Sequence, residues 1–321
     1  MNKKLWSLFL ITLTLCLSGC FGGTKQAVEP NKMQVVASFY PMAEFARQVG
    51  GDKVQVTTLV ADGVEPHDWE PTAQDLGRVA KARLFVYNGG GLEPWADKAL
   101  VAVADSKVIG VETGHLLFGD KVAAGAATGA HQHVGVDPHV WVSPFLAEKQ
   151  VEVIAQAFIA ADPDNAASYK KNAQDYIVRL EMLNHKLQQV VKTATTKKFV
   201  TTHAAFGHLA RNYGLVQIPI MGISPEAEPA PADLQRLVAT IKDEQIKYVF
   251  FETLVSPKVA QTIATAAGIQ TLVLDPVEGL SPDGRAANQD YISLMEQNIK
   301  NLALALGAAA QDNGENHGRN N

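Results

Sequence analysis

Apolar and polar positions change period repeatedly along the chain, alternating between short apolar runs and helical stripes. From residue 33, "MQVVASF" predicts a first strand, and Pro41 through "AEFARQVGG" predicts a helix that Gly50 and Gly51 stop. A strand "VQVTTLV", a polar loop "ADGVEPHDWEPT", a helical stretch "AQDLGRVAKA" and an apolar strand "LFVYN" follow. Strands alternating with helices at this spacing indicate a parallel sheet covered on both faces.

After "SKVIGVE" the pattern dissolves. The stretch "TGHLLFGDKVAAGAATGAHQHVGVDPH" is rich in Gly and Ala, and the expectation is a mobile loop over about 113–138. Helical periodicity resumes in "SPFLAEKQVEVIAQAFIAA", and Asp162 and Pro163 read as the N-cap and first turn of something longer. Tyr169, Ala173, Tyr176, Leu180, Leu183, Leu187 and Val190 recur at spacings of three and four, one apolar stripe from about 163 to 193. Uninterrupted, that helix is ~45 Å long at 1.5 Å per residue, which suits a spine joining two lobes.

From 197 the alternation restarts: "KKFVTTH", "VQIPIMGI", "IKYVFFE" and "IQTLVLD" read as strands, with helices "AAFGHLARNYG", "APADLQRLVATIKDEQ" and "SPKVAQTIATAAG" between them. A final helix is expected over about 287–309. The predicted fold class is therefore α/β: two βα lobes with parallel sheets, 33–161 and 196–310, joined by a long connecting helix, 162–195. Residues 311–321, "QDNGENHGRNN", are expected to be a disordered tail.

Length and composition change little in this picture. A chain of 321 residues exceeds a typical single core, and 47% hydrophobic with 19% charged residues is ordinary globular composition. The ends change more. "MNKK", the apolar "LWSLFLITLTLCL" and the small residues of "LSGC" have the order of a secretory signal, and the run is short for a span of ~20 residues. "LSGC" resembles a bacterial lipobox, which implies removal of 1–19 and lipid on Cys20, with 20–32 as a flexible spacer and the protein held outside the cell membrane. Cys16 leaves with the signal, so the folded domain has no disulfide, and any metal site must use nitrogen and oxygen ligands. The net charge of −5 becomes more negative still once Lys3 and Lys4 are removed, and no basic cluster offers a nucleic-acid surface.

In open α/β sheets ligands sit beyond the carboxyl ends of the strands. Four candidate metal ligands fall there: His67 after "VQVTTLV", His203 at the end of "KKFVTTH", Asp275 at the end of "IQTLVLD", and His139 closing the long loop. Two come from each half, which places a shared site in the cleft between lobes. Three imidazoles and a carboxylate suit zinc, whereas manganese prefers more oxygen.

"EPHDWEPTAQDL", "DPHVWVSP", "FVTTHAAFGHLARNYGL", "EAEPAPADL" and "VLDPVEGL", in this order over about 34–308, resemble the substrate-binding lipoproteins of bacterial ABC importers for zinc and manganese. The resemblance implies an extracytoplasmic receptor, a monomer, with two βα lobes on a rigid long helix, passing Zn2+ to a membrane permease; Mn2+ is the alternative cargo. It also implies that His67, His139 and His203 are the first three ligands and Asp275 the fourth, the third being histidine in zinc-type members. His131 and His133, with His115, form a weak version of the histidine-rich loop of zinc-type relatives, an auxiliary metal site at most.

A secreted zinc hydrolase is the rival class, but neither H-E-x-x-H nor G-x-S-x-G is present, and "YNGGGLEPW" lacks the G-x-G-x-x-G spacing of a nucleotide loop. No catalytic residue is expected. Adhesion to host molecules is a further class, for which no residue argues. Glu65, Asp68, Glu70, Asp137 and Glu252 flank the proposed ligands and are candidates to orient them. His208, five residues after His203, is expected to point away; His185 lies mid-spine and His317 in the tail.

Overall fold

The computed structural model describes residues 29, 31–118, 136–225 and 229–309. Its first half builds a four-stranded parallel sheet from β1 (Met33–Ala37), β2 (Val54–Thr58), β3 (Leu84–Tyr87) and β4 (Ile109–Glu112), in the order β2-β1-β3-β4. The crossovers carry α1 (Tyr40–Gly50), α2 (Ala73–Val79) and α3 (Ala96–Ala102). Two helices follow, α4 (Pro144–Ala161) and the 28-residue α5 (Ala166–Thr193). The second half repeats the plan: β5 (Lys198–Thr201), α6 (Gly207–Tyr213), β6 (Val216–Pro219), α7 (Pro231–Asp243), β7 (Tyr248–Phe251), α8 (Lys258–Ala267) and β8 (Gln270–Val273) form a parallel sheet ordered β6-β5-β7-β8. Short α9 (Pro282–Ala286) and α10 (Tyr291–Ala305) close the chain. No helix among the described residues is long and apolar enough to cross a membrane.

Alternate strand residues feed opposite layers, as the two-residue period of a strand requires. Leu84 and Val86 face the main core, while Phe85 and Tyr87 join an outer cluster with Trp95 and Val79. Likewise Phe250 points to the main core and Val249 to a cluster with Ile241 and Ile263. The main core is continuous across both sheets. The seven stripe residues of α5 are all buried within it, so the spine is a shared wall rather than an exposed rod. Truncating one of them, as in Leu183→Ala, removes contacts on both sides, at a typical ~2–5 kcal/mol.

Several local expectations are corrected. Pro163–Asn165 forms a separate 3-10 turn ahead of α5; Asp162 stands at its N-cap position without a side-chain cap bond, and its carboxylate accepts from Tyr169 Oη (2.7 Å) and Asn165 Nδ2 (2.8 Å). The expected terminal helix is α10, shorter at both ends, because a capping box between Asp290 and Ser293 starts it at Tyr291; α9 before it was not anticipated. α3 was not anticipated. The glycines of "YNGGGLEPW" have left-handed φ (+86° at Gly89, +66° at Gly90, +90° at Gly91). Glu93 fills the concavity they make, accepting from the Asn88 and Gly89 N–H groups (both 3.0 Å) and the Ser38 hydroxyl (2.6 Å). The backbone donors that a phosphate would need are already taken by an internal carboxylate.

Two of the places where the halves meet flank the loop after β8. Inside, Trp141 Nε1 donates to the Pro276 carbonyl (2.8 Å), Tyr291 Oη donates to the Trp141 carbonyl (2.6 Å), and the Tyr291 ring meets Phe45 edge-on at 5.0 Å. At the surface, Gly63 N–H donates to the Leu280 carbonyl (2.9 Å) and Arg285 Nε to Asp62 (2.7 Å).

Candidate metal centre

The carboxyl ends of the strands converge where the halves meet. His67 lies in the loop between β2 and α2, His139 just before α4, and His203 two residues beyond β5. Glu278 enters from the loop after β8. Each of the four offers one ligand atom, and these atoms all lie within 4.8 Å of one another. His67 and His139 bring their Nε2 atoms to 3.2 Å. Glu278 Oε1 is the hub, 3.4 Å from His67 Nε2, 3.2 Å from His139 Nε2 and 3.7 Å from His203 Nε2. A tetrahedral zinc with bonds of ~2.0–2.1 Å has ligand atoms roughly 3.4 Å apart, so these edges need only small adjustments.

Asp275 is not part of this cluster. Its Oδ2 accepts from Thr253 Oγ1 (2.6 Å), its Oδ1 from the Val277 N–H (2.7 Å), and Asn298 pairs with its backbone N–H and carbonyl. Burial pushes its pKa up to about 6. The work it does is to hold a turn in which Val277, a buried β-branched residue, adopts φ +59°. That strained step brings the longer carboxylate of Glu278 to the histidines. The expectation stopped at the strand's last residue, one turn short of the acid that reaches in; the same motif, "VLDPVEGL", contained both.

Each histidine has its own acid. Glu65 Oε1 accepts the His67 N–H (3.1 Å), Asp137 Oδ1 that of His139 (3.1 Å), and Glu252 Oε1 that of His203 (3.2 Å). Two of these acids also face the imidazole. Asp137 Oδ1 is 2.9 Å from His139 Nδ1, which fixes the ring proton there and leaves the Nε2 lone pair toward the cluster. Glu252 Oε2 lies 2.7 Å from His203 Nδ1, close but outside hydrogen-bond alignment. Asp68 and Glu70 are exposed and play no part in this arrangement. His115 is exposed beside Glu112, and His185 is exposed on α5. Cys20, His131, His133, residues 20–28 and 30 of the spacer, and the tail lie outside the described residues.

The electrostatics show what the cluster lacks. Burial opposes ionisation of Glu278, but the three imidazoles outweigh it and hold its pKa well below the carboxylate range. Burial also opposes charging of His139 and His203; Asp137 and Glu278 nevertheless raise the first, and Glu252 and Glu278 raise the second to about 10. His67 moves the other way, lowered chiefly by burial. Both oxygens of Glu278 and both ring nitrogens of His203 are buried without a hydrogen-bond partner. Such groups are rare and costly unless a proton or cation satisfies them.

Two parallel-sheet lobes around a buried cluster of three histidines and a glutamate define a two-lobed metal-binding protein. The chain belongs to the family described as zinc-uptake complex component A, periplasmic (ZnuA), which it matches over residues 35–305. It is 39% identical over 318 residues to the high-affinity zinc uptake system protein ZnuA of Bacillus subtilis strain 168, covering 95% of this chain and 99% of the relative. It is 38% identical over 298 residues to the zinc-binding lipoprotein AdcA of Streptococcus pneumoniae, 91% of this chain but 60% of that longer protein. Among solved structures, the Zn(II)-bound ZnuA-like domain of Streptococcus pneumoniae AdcA aligns with a TM-score of 0.73 at 38% identity, over 86% of this chain and 99% of that one.

Proposed function

We propose that this chain is the extracytoplasmic receptor of a zinc importer: it binds Zn2+ between its lobes and delivers it to an ABC permease while lipid on Cys20 tethers it to the membrane. The convergence of three imidazole nitrogens and the Glu278 carboxylate in one buried cluster carries the reading. In it, Nε2 of His67, His139 and His203 and one Glu278 oxygen ligate the cargo, and the acids behind the histidines aim the rings. Three nitrogens among four ligands favour zinc over manganese. Four protein ligands also fill a tetrahedron, leaving no position for an activated water, so the proposed mechanism is capture and release without turnover.

Calorimetry on chelator-stripped protein tests this. One Zn2+ per chain, bound more tightly than Mn2+, is expected. His139→Ala and Glu278→Ala should each weaken zinc by more than about a hundredfold, since even a ligand's supporting partner is worth about 10–100-fold. Tighter Mn2+ binding, or zinc affinity indifferent to these substitutions, would overturn the assignment.

A further inference from the structure

His208, on the first turn of α6, stays out of the metal cluster, yet it is 4% exposed and directed at the opposite lobe. Its Nε2 lies 2.8 Å from the Asp137 carbonyl. A carbonyl only accepts, so that nitrogen carries the proton and donates. Arg211, one turn further along α6, places Nη2 3.6 Å from Asp137 Oδ2. Asn212 donates from Nδ2 to Ser143 Oγ at 2.8 Å. Gly207 completes the face by what it lacks: a Cβ there would stand 2.5 Å from Asp137 Oδ2. Thus the start of α6 closes on residues 137–143, the segment that presents His139, and Asp137 is gripped at its carbonyl and at the oxygen that His139 does not use.

We propose that His208 and Arg211 are positioning residues for metal binding: acting from the second lobe, they hold Asp137, and through it set the aim of His139 in the first. This rests on the assignment of His139 as a ligand. His203 and the gripping residues belong to one continuous segment, 203–212, so separation of the lobes withdraws a ligand and releases the hold on another ligand together. Capture and release then become concerted, with no stage at which two well-aimed histidines retain the ion alone. Burial keeps His208 below its ordinary pKa, which preserves it as a neutral donor.

The test uses full-length protein loaded with Zn2+ or with Co2+ as a spectroscopic probe. His208→Phe keeps bulk and removes the donor; His208→Gln restores a donor. For His208→Phe, a rise of about tenfold in zinc dissociation rate and altered Co2+ visible bands are expected, with His208→Gln returning both toward wild type. The exposed Arg211→Gln, which leaves the core intact, should shift both readouts in the same direction by less. Combining His208→Phe with Asp137→Asn should add little to Asp137→Asn alone, because both act through one carboxylate. Unchanged Co2+ bands and dissociation rates in His208→Phe and Arg211→Gln, with only the thermal midpoint lowered, would overturn the proposal, as would full additivity in the double variant. Failure of the parent assignment looks different: His139→Ala would then bind Zn2+ and Co2+ like wild type.

Discussion

The loop that carries Glu278 is tied to the first lobe on both of its flanks, and the two ties differ in kind. On one side the Pro276 carbonyl accepts from Trp141, whose ring is wholly buried against Phe39 at 4.9 Å. On the other, the Leu280 carbonyl accepts from Gly63, beside an Asp62–Arg285 pair whose side chains are 39% and 57% exposed. Water can replace the exposed ion pair of the second tie but not the buried tryptophan bond of the first. A buried donor without its partner costs ~1–3 kcal/mol, while an exposed ion pair is worth ~0–1 kcal/mol. The contrast implies that the surface side gives way when the ion leaves, and that the aromatic side acts as the pivot.

Trp141→Phe is the severest challenge to that division. It leaves the Pro276 carbonyl unpaired in the core and should cost ~1–3 kcal/mol, lowering the calorimetric midpoint by several degrees in both metal-free and zinc-loaded protein. A midpoint that does not move would remove the pivot.

Proton competition comes next. In the metal-free protein His203 titrates at about 10, so it is charged at pH 7.5 and zinc must displace its proton. Binding enthalpies measured in buffers of different ionisation heat should reveal at least one proton released at that pH, with affinity falling further toward pH 5.5. The sign for folding is opposite to that for metal binding. Because the folded value lies above the ordinary 6.5, the ion pairs of His203 with Glu252 and Glu278 support the metal-free fold fully below that pH and fade as pH rises through about 10. The metal-free midpoint should therefore decline over that window, less so in Glu252→Gln. Zinc binding without proton release would contradict both halves of this account.

Arg285→Gln should do least, changing stability by no more than ~1 kcal/mol, an effect lost in high salt. A drop as large as that of Trp141→Phe would erase the distinction between the two sides.

The sequence was most legible where a repeating physical constraint acts over many residues. The spine stripe from Tyr169 to Val190 is buried throughout because helical period and burial are one constraint. That His67, His139 and His203 come together was legible because all three sit beyond strand ends, where such sheets bind ligands. Glu278 was missed because its approach depends on a left-handed Val277, a conformation that pattern does not announce for a β-branched residue. Glu65, Asp137 and Glu252 were legible as acids near ligands, but nothing in the spacing separates them from Asp68 and Glu70, which face solvent. His208 was set aside on a helical spacing from His203 that does not exist, since α6 starts only at Gly207; what it meets is decided by the packing of the other lobe.

The placement of α10 also bears on how the chain acquires its structure. Tyr291 and Leu302, near the end of the chain, are fully buried in the same core as Val35 and Phe45, near its start. A nascent chain that has made its first parallel sheet still lacks α10, which packs on α5 and β8, and about 180 residues separate Glu112, the end of that sheet, from Tyr291. Contacts so distant in sequence form late and slowly, leaving the part of α5 that α10 covers exposed until the final turns arrive, while α4 and α1 already pack on the rest. Truncation within α10 would thus expose part of α5 and of the core that both lobes share.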